Sequence, residues 1–272
     1  MVKIGAVWDR TAEFLADNLS SIMPVALFAF FFPYSINGSF QQAAQGATES
    51  LQLVFLLVSF AVGVLSMWGA LALIAMVTGD DSREAGRRAT RRLLPAVIVR
   101  LALLVPLCLC FLPTLIALVA GGADFRALLN NDAAGMPKAA QWTFLVNLLV
   151  VLPLWLALAA RLVLIDPVVL AEERMFGAIA RSWRLTRGLT WRMIGVILLY
   201  LVVSVVAWQA ARTVFGVLFQ LIVGDGGGGL SLSGVLTSIT VAAVQAALAV
   251  VSALFAAHLL LAAIVSERGQ PR

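Results

Sequence analysis

Few residues in this chain are of a type that does chemistry, and most of those lie inside apolar runs. His258 is the only histidine among 272 residues. It stands about nine residues inside the end of the last apolar run, well within the hydrocarbon if that run crosses a bilayer at about 1.5 Å per residue. Asn147, Gln209 and Gln245 are similarly embedded, and Asp166 lies nearer an interface. Groups at such depth either mark a proton or substrate path or bond neutrally between helices. For a lone histidine with no carboxylate at its own depth, the interhelical bond is the expected role. A lone histidine is not a metal site. Cys108 and Cys110, two apart on one helix, point in different directions and cannot pair. The sequence contains no Ser-His-Asp set, no paired buried carboxylates and no zinc spacing, so neither an enzyme nor a cofactor is expected. "GDGGGGLS", Gly224 to Ser231, lacks the Gly-Lys-Ser/Thr ending of a phosphate loop and reads as a flexible turn.

Arginine is the more informative residue. Arg100 and Arg161 each lie just inside one end of an apolar run. They can snorkel to headgroups, pair with Asp166 across helices, or together hold a lipid phosphate. "ARSWRLTRGLTWRM", Ala180 to Met193, brings together Arg181, Arg184, Arg187, Arg192, Trp183 and Trp191. Wound as a helix, 174–187 puts Arg174, Arg181 and Arg184 on one side and Phe176, Ile179 and Trp183 on the other. That pattern predicts an interfacial helix with arginines toward phosphate headgroups. Gly188 is a candidate stop, Thr190 a candidate cap for the next helix, and Trp191 a headgroup-depth belt residue.

The elements that must carry these residues follow from composition. The chain is 62% hydrophobic and 12% charged, where soluble domains are about 25% charged. Its mean hydropathy is +1.00. Apolar runs long enough to span a bilayer fall at about 19–37, 51–78, 94–120, 141–165, 190–222 and 233–265. In lipid these must be helices, and the short alternating segments of an outer-membrane barrel are absent. The fold class is therefore all-α: a polytopic transmembrane helical bundle of six spans, a single integral membrane domain over 1–272. Asp9, Glu13 and Asp17 precede the first run, so a cleaved signal peptide is not expected. Arg212, about 20 residues past Arg192, reaches the far interface at about 30 Å; 212–223 then either continues as a tilted span or lies along that surface. Ala243, Ala247, Ala253 and Ala257 predict a closely packed face on span six.

The net charge of +5 does not point to nucleic acid, because the basic residues border apolar runs. Lys3, Arg10, Arg83, Arg87, Arg88, Arg91, Arg92, Arg174, Arg181, Arg184, Arg187, Arg192, Arg268 and Arg272 all fall on one side of the predicted topology. Only Arg126 and Lys138 fall on the other. Such an excess marks the cytoplasmic side, so both termini are expected to be cytoplasmic. The unit of amphipathic helix, outward span and return span recurs, with repeats at 1–79, 80–172 and 173–266. Their cytoplasmic amphipathic helices are "AVWDRTAEFLADNLSS", "SREAGRRATRRLLP", which has Asp81 and Glu84 at capping-box spacing, and the arginine/tryptophan stretch.

The segment "RLVLIDPVVLAEERMFGAIARSWRLTRGLTWRMIG", 161 to 195, resembles a bacterial family of six-span membrane proteins related to the membrane domain of glycerophosphoryl diester phosphodiesterases. The resemblance rests on Arg161, Pro167, Glu172 or Glu173, and the run from Ser182 through Gly188; Asp166 stands where a small residue is expected. The resemblance implies an inner-membrane bundle without the separate catalytic barrel that some relatives carry.

Together these features lead to the expectation of a bacterial inner-membrane protein that is not an enzyme. Its basic cytoplasmic collar would bind anionic phospholipids through Arg100, Arg161, Arg181, Arg184, Arg187, Arg192, Trp183 and Trp191. The rival is a transporter or permease subunit. It requires a midplane polar cavity around His258, Gln245 or Asn147, and its cytoplasmic helices would dock a soluble partner; a homo-oligomer is compatible with either.

Overall fold

The computed structural model describes residues 3–44, 49–122, 137–172, 177–187, 189–224 and 231–268. Arg126, Glu173, Arg174, Phe176, Gly188 and most of the glycine-rich turn, all singled out in the sequence, lie outside the described residues. The described chain is helical almost throughout and contains no strand. Its elements are α1 (Ile4–Asp17), α2 (Leu19–Ala26), a π-helical turn (Leu27–Phe31), α3 (Phe32–Ala44), α4 (Glu49–Val77), α5 (Ser82–Cys110), α6 (Leu112–Ala120), α7 (Lys138–Leu162), α8 (Ile165–Glu172), α9 (Gly177–Leu185), α10 (Thr190–Val223) and α11 (Leu232–Arg268). Among the described residues six stretches are long and apolar enough to cross a membrane, which makes this a multi-pass membrane protein. Many large apolar side chains stay exposed, among them Leu57, Leu149, Leu199 and Ile222, as a lipid-facing surface requires.

Helix boundaries depart from the sequence expectations at two places, and the structure decides between two alternatives at a third. The amphipathic stretch 82–93 is not a separate surface helix; it is the opening of α5, which runs unbroken through Pro95 and Pro106 to Cys110. No glycine or capping residue separates the two parts. Span three instead breaks at Phe111, because Pro113 near the start of α6 can neither donate to nor clear the carbonyl four residues back. Finally, 212–223 does continue the span: α10 is helical through Val223.

Helix α11 is the hub. Half of its most apolar stretch is buried, against 22% at most in any other span. The buried row is Ala242, Ala246, Val250, Ala253, Ala257 and Leu260, whose steps of four or three residues keep it on one face of the helix. Ala243 and Ala247 are exposed, because six residues to Ala253 turn the helix through about 600°, onto another face. Span one approaches α4 closely at Gly69, where a Cβ would stand 2.4 Å from the Ala29 Cβ. The π-helical turn, in which the Phe32 N–H bonds to the Leu27 carbonyl, presents Ala29 and Phe30 there.

Packing is uneven along the bundle. The dense part gathers the end of α4 (Leu71, Leu73, Ile74), the start of α5 (Ala85, Ala89), α8 (Val168, Val169, Leu170) and the last third of α11 (Leu254, Leu259, Leu260). The arginine-rich segments sit at this end. Toward the other end fewer of the described side chains are buried, among them Thr114, Ala140, Ala211, Ser233 and Ser238.

Candidate functional site

The arginine-rich end is built by side chains that close the ends of helices. α7 terminates at Leu162, leaving its last carbonyls without partners inside the helix. Ser182 Oγ donates to the Arg161 carbonyl at 2.7 Å; Thr186 Oγ1 stands 3.2 Å from the same oxygen, and its one proton is shared with the nearer Ser182 carbonyl at 2.8 Å. Ser182 and Thr186 are one turn apart, so α9 docks on α7 through a buried row of Ala178, Ser182 and Thr186. Ile179 packs against the core from the next face, whereas Trp183 is exposed and the Arg161 guanidinium lies over its ring at 4.9 Å. Arg161 Nη1 also donates to the Trp183 carbonyl at 3.5 Å.

The other arginines of this end divide into engaged and open. Arg181 donates twice to Glu267, at 2.8 and 2.7 Å, tying α9 to the end of α11. Arg88 pairs with Asp80 at 2.9 Å and donates to the Leu170 carbonyl at 3.2 Å, tying α5 to α8. Arg100 pairs with Asp166. Arg100 and Arg161 therefore do not form one bidentate pocket. Arg184, Arg187 and Arg192 are exposed, as is Trp191 at 85%. Thr190 is not a cap: the N-cap position is Leu189, and the Thr190 hydroxyl is buried without a partner. Asp81 caps α5 through its backbone only, its side chain making no cap bond.

Beside Arg161 runs a groove of about 430 Å³ between α7 and α10. Its apolar wall is Pro153, Leu156, Ala157 and Ile194; Arg161, Thr190 and Trp191 stand at its arginine-rich end. A cation and an indole above an apolar strip are the recognition groups for a phosphate ester on a hydrocarbon chain.

The embedded polar residues separate in the same way. His258 Nδ1 lies 3.0 Å from the Leu254 carbonyl, so it carries the proton and donates. Thr11 of α1 stands 3.5 Å from the same nitrogen, and Phe14 meets the ring edge-on. His258 thus fastens the amino-terminal helix to α11. Asn147 Nδ2 donates to the Cys110 carbonyl at 3.0 Å and to Thr114 Oγ1 at 2.9 Å, satisfying the carbonyl freed by the break at Phe111. Both side chains are thus engaged in contacts between or within helices.

Gln245 is different. It lines a cavity of about 650 Å³ between α3, α10 and α11, with Tyr34, Asn37, Tyr200, Ser204, Trp208 and Arg212. The sequence carried little sign of it, since Tyr34 comes from span one and Tyr200 and Ser204 from span five, far apart in the chain. The engaged groups Ser182, Thr186, Glu267 and Arg88 were also missed; the four-residue spacing of Ser182 and Thr186 on an arginine-bearing helix was their one local signal. Among the described residues no group of three or more His, Cys, Asp or Glu could hold a metal ion. No family model, curated protein or solved structure matches the chain.

Proposed function

We propose that this is a non-enzymatic bacterial inner-membrane protein that binds anionic phospholipid at its arginine-rich end. That end faces the cytoplasm together with both termini. The orientation follows from the one-sided distribution of Lys and Arg. The observation that carries the reading is the groove beside Arg161. Its guanidinium has no carboxylate partner among the described residues, nor has the enclosed Thr190 hydroxyl a hydrogen-bond partner among them, and the wall below is apolar. A lipid phosphate accepts from Arg161, its acyl chain lies on Leu156 and Ile194, and the exposed Arg187 and Arg192 add attraction to an anionic surface. The resemblance of 161–195 to a membrane-domain family supports the same non-catalytic reading. In this reading Arg181 and Arg100 hold the collar together and are not headgroup ligands.

The test is lipid retention by the purified full chain in neutral detergent. Replacing Arg161, Arg187 and Arg192 with Gln lowers the ratio of retained phosphatidylglycerol and cardiolipin to phosphatidylethanolamine, with the melting temperature close to that of the parent. An unchanged ratio overturns the proposal. The transporter or permease reading is favoured by one observation, the polar cavity at Gln245; the engaged His258 and Asn147 do not contribute to it.

A further inference from the structure

We propose that the cavity between α3, α10 and α11 is a binding site for an elongated amphiphilic anion, with its carboxylate or phosphate on Arg212. Helices α10 and α11 run antiparallel along the cavity: Tyr200 donates to the Leu248 carbonyl at 3.3 Å, and about four turns on Gly216 stands beside Thr237. From Tyr200 to Arg212 the cavity extends about 18 Å along α10 at 1.5 Å per residue. It carries one full charge. No Asp or Glu lines it, and among the described residues the Arg212 guanidinium has no carboxylate partner; it lies over the Trp208 ring at 5.5 Å.

The hydrogen-bonding groups sort into satisfied and open. Asn37 Oδ1 accepts from Ser59 at 2.8 Å, Ser238 meets Ser39 at 2.9 Å, and Thr237 donates to the Ser233 carbonyl at 2.7 Å. Ser204 Oγ is buried without a partner, and Gln245 makes no hydrogen bond among the described residues. Open to the cavity are thus Arg212 at one end and Gln245 about 12 Å deeper, level with the enclosed Ser204 hydroxyl eight residues along α10; the Asn37 Nδ2 and the Trp208 indole N–H have no acceptor among the described residues either. Between them lie the faces of Trp208, Tyr34, Val205 and Val241. An unpaired donor in an apolar setting costs stability unless a ligand supplies the acceptor. The ligand that meets Arg212 and Gln245 has an oxyanion, an apolar body and, about 12 Å from the head, a second polar atom. A membrane amphiphile and a water-borne organic anion both have this chemistry. The proposal is independent of the lipid groove at the opposite end of the bundle.

The experiment is equilibrium binding of radiolabelled 10-hydroxydecanoate, which has the oxyanion, the apolar body and the distal polar atom, to the full chain in neutral detergent. One saturable site is expected. Arg212→Gln weakens it about tenfold or more, as loss of a charge-assisted bond implies, while Arg212→Lys retains most of the affinity. Gln245→Leu weakens it less, and Arg161→Gln leaves it unchanged, which separates this site from the groove. Dodecanol, which has the body without the charge, does not compete; neither does acetate, which has the charge without the body. Competition by phosphatidylglycerol in nanodiscs supports the proposal with the bilayer as source. Competition by hexanoate and not by that lipid supports it with the water phase as source. Unchanged binding in a folded Arg212→Gln chain, or equal competition by dodecanol or acetate, overturns it.

Discussion

The two ends of this bundle treat their polar groups in opposite ways. At the arginine-rich end, donors meet acceptors: Ser182 and Thr186 reach the Arg161 carbonyl, Arg181 meets Glu267, and Arg88 meets Asp80 and Leu170. Apolar side chains pack densely around them. In the other half, Arg212 and Gln245 face a cavity with no acceptor of their own, and the enclosed Ser204 hydroxyl has no partner among the described residues. The contrast teaches that an embedded polar residue is not by itself a functional mark. Asn147 and His258 look as exceptional in the sequence as Gln245, yet each closes a local defect in helix hydrogen bonding or pins one helix to another. What distinguishes Gln245 is that its amide is left open.

Substitutions that keep the fold separate the two ends. The largest loss is expected for Ser182→Ala combined with Thr186→Val, which leaves the Arg161 carbonyl without either hydroxyl. An orphaned buried acceptor costs about 1–3 kcal/mol, read as a lower unfolding midpoint of the full chain in detergent. Asn147→Leu comes next. It removes the donor to the Cys110 carbonyl and to Thr114, and interhelical polar contacts in membranes are worth about 0.6–1.7 kcal/mol. A smaller loss follows Arg181→Gln, because Glu267 is half exposed to solvent and such pairs contribute about 0–1 kcal/mol. A double-mutant cycle with Glu267→Gln measures that coupling directly, and it shrinks at high salt. Gln245→Leu is expected to leave the midpoint unchanged or raise it slightly, since no bond is lost. If Gln245→Leu destabilises as strongly as Asn147→Leu, the two halves are alike and the cavity is an ordinary packing site.

Much of the architecture was legible from the chain. Six spans, the single helix through Val223 as one of two options, and the gathering of arginines at one end follow from hydropathy and helical periodicity, which are properties of neighbouring residues. The same local reasoning failed where the answer depended on a distant partner. It made 82–93 a separate surface helix because the stretch is polar, although nothing in it breaks a helix. It placed Thr190 as a cap by residue type, whereas the turn geometry puts Leu189 in that position. It chose Ala243 and Ala247 by spacing, but the face of α11 that packs is selected by the helices around it.

The covalent chain alone thus decides which segments are helical, how long they are and at which end the positive charge collects, because these depend on side-chain chemistry within a few turns. Whether a given donor is engaged or open depends on contacts between residues such as Arg181 and Glu267, or Ser204 and Gln245, that folding alone brings together. A hydrogen bond is a short-range, directional contact, so the free guanidinium of Arg212 and the engaged one of Arg181 become distinguishable only once the helices are packed.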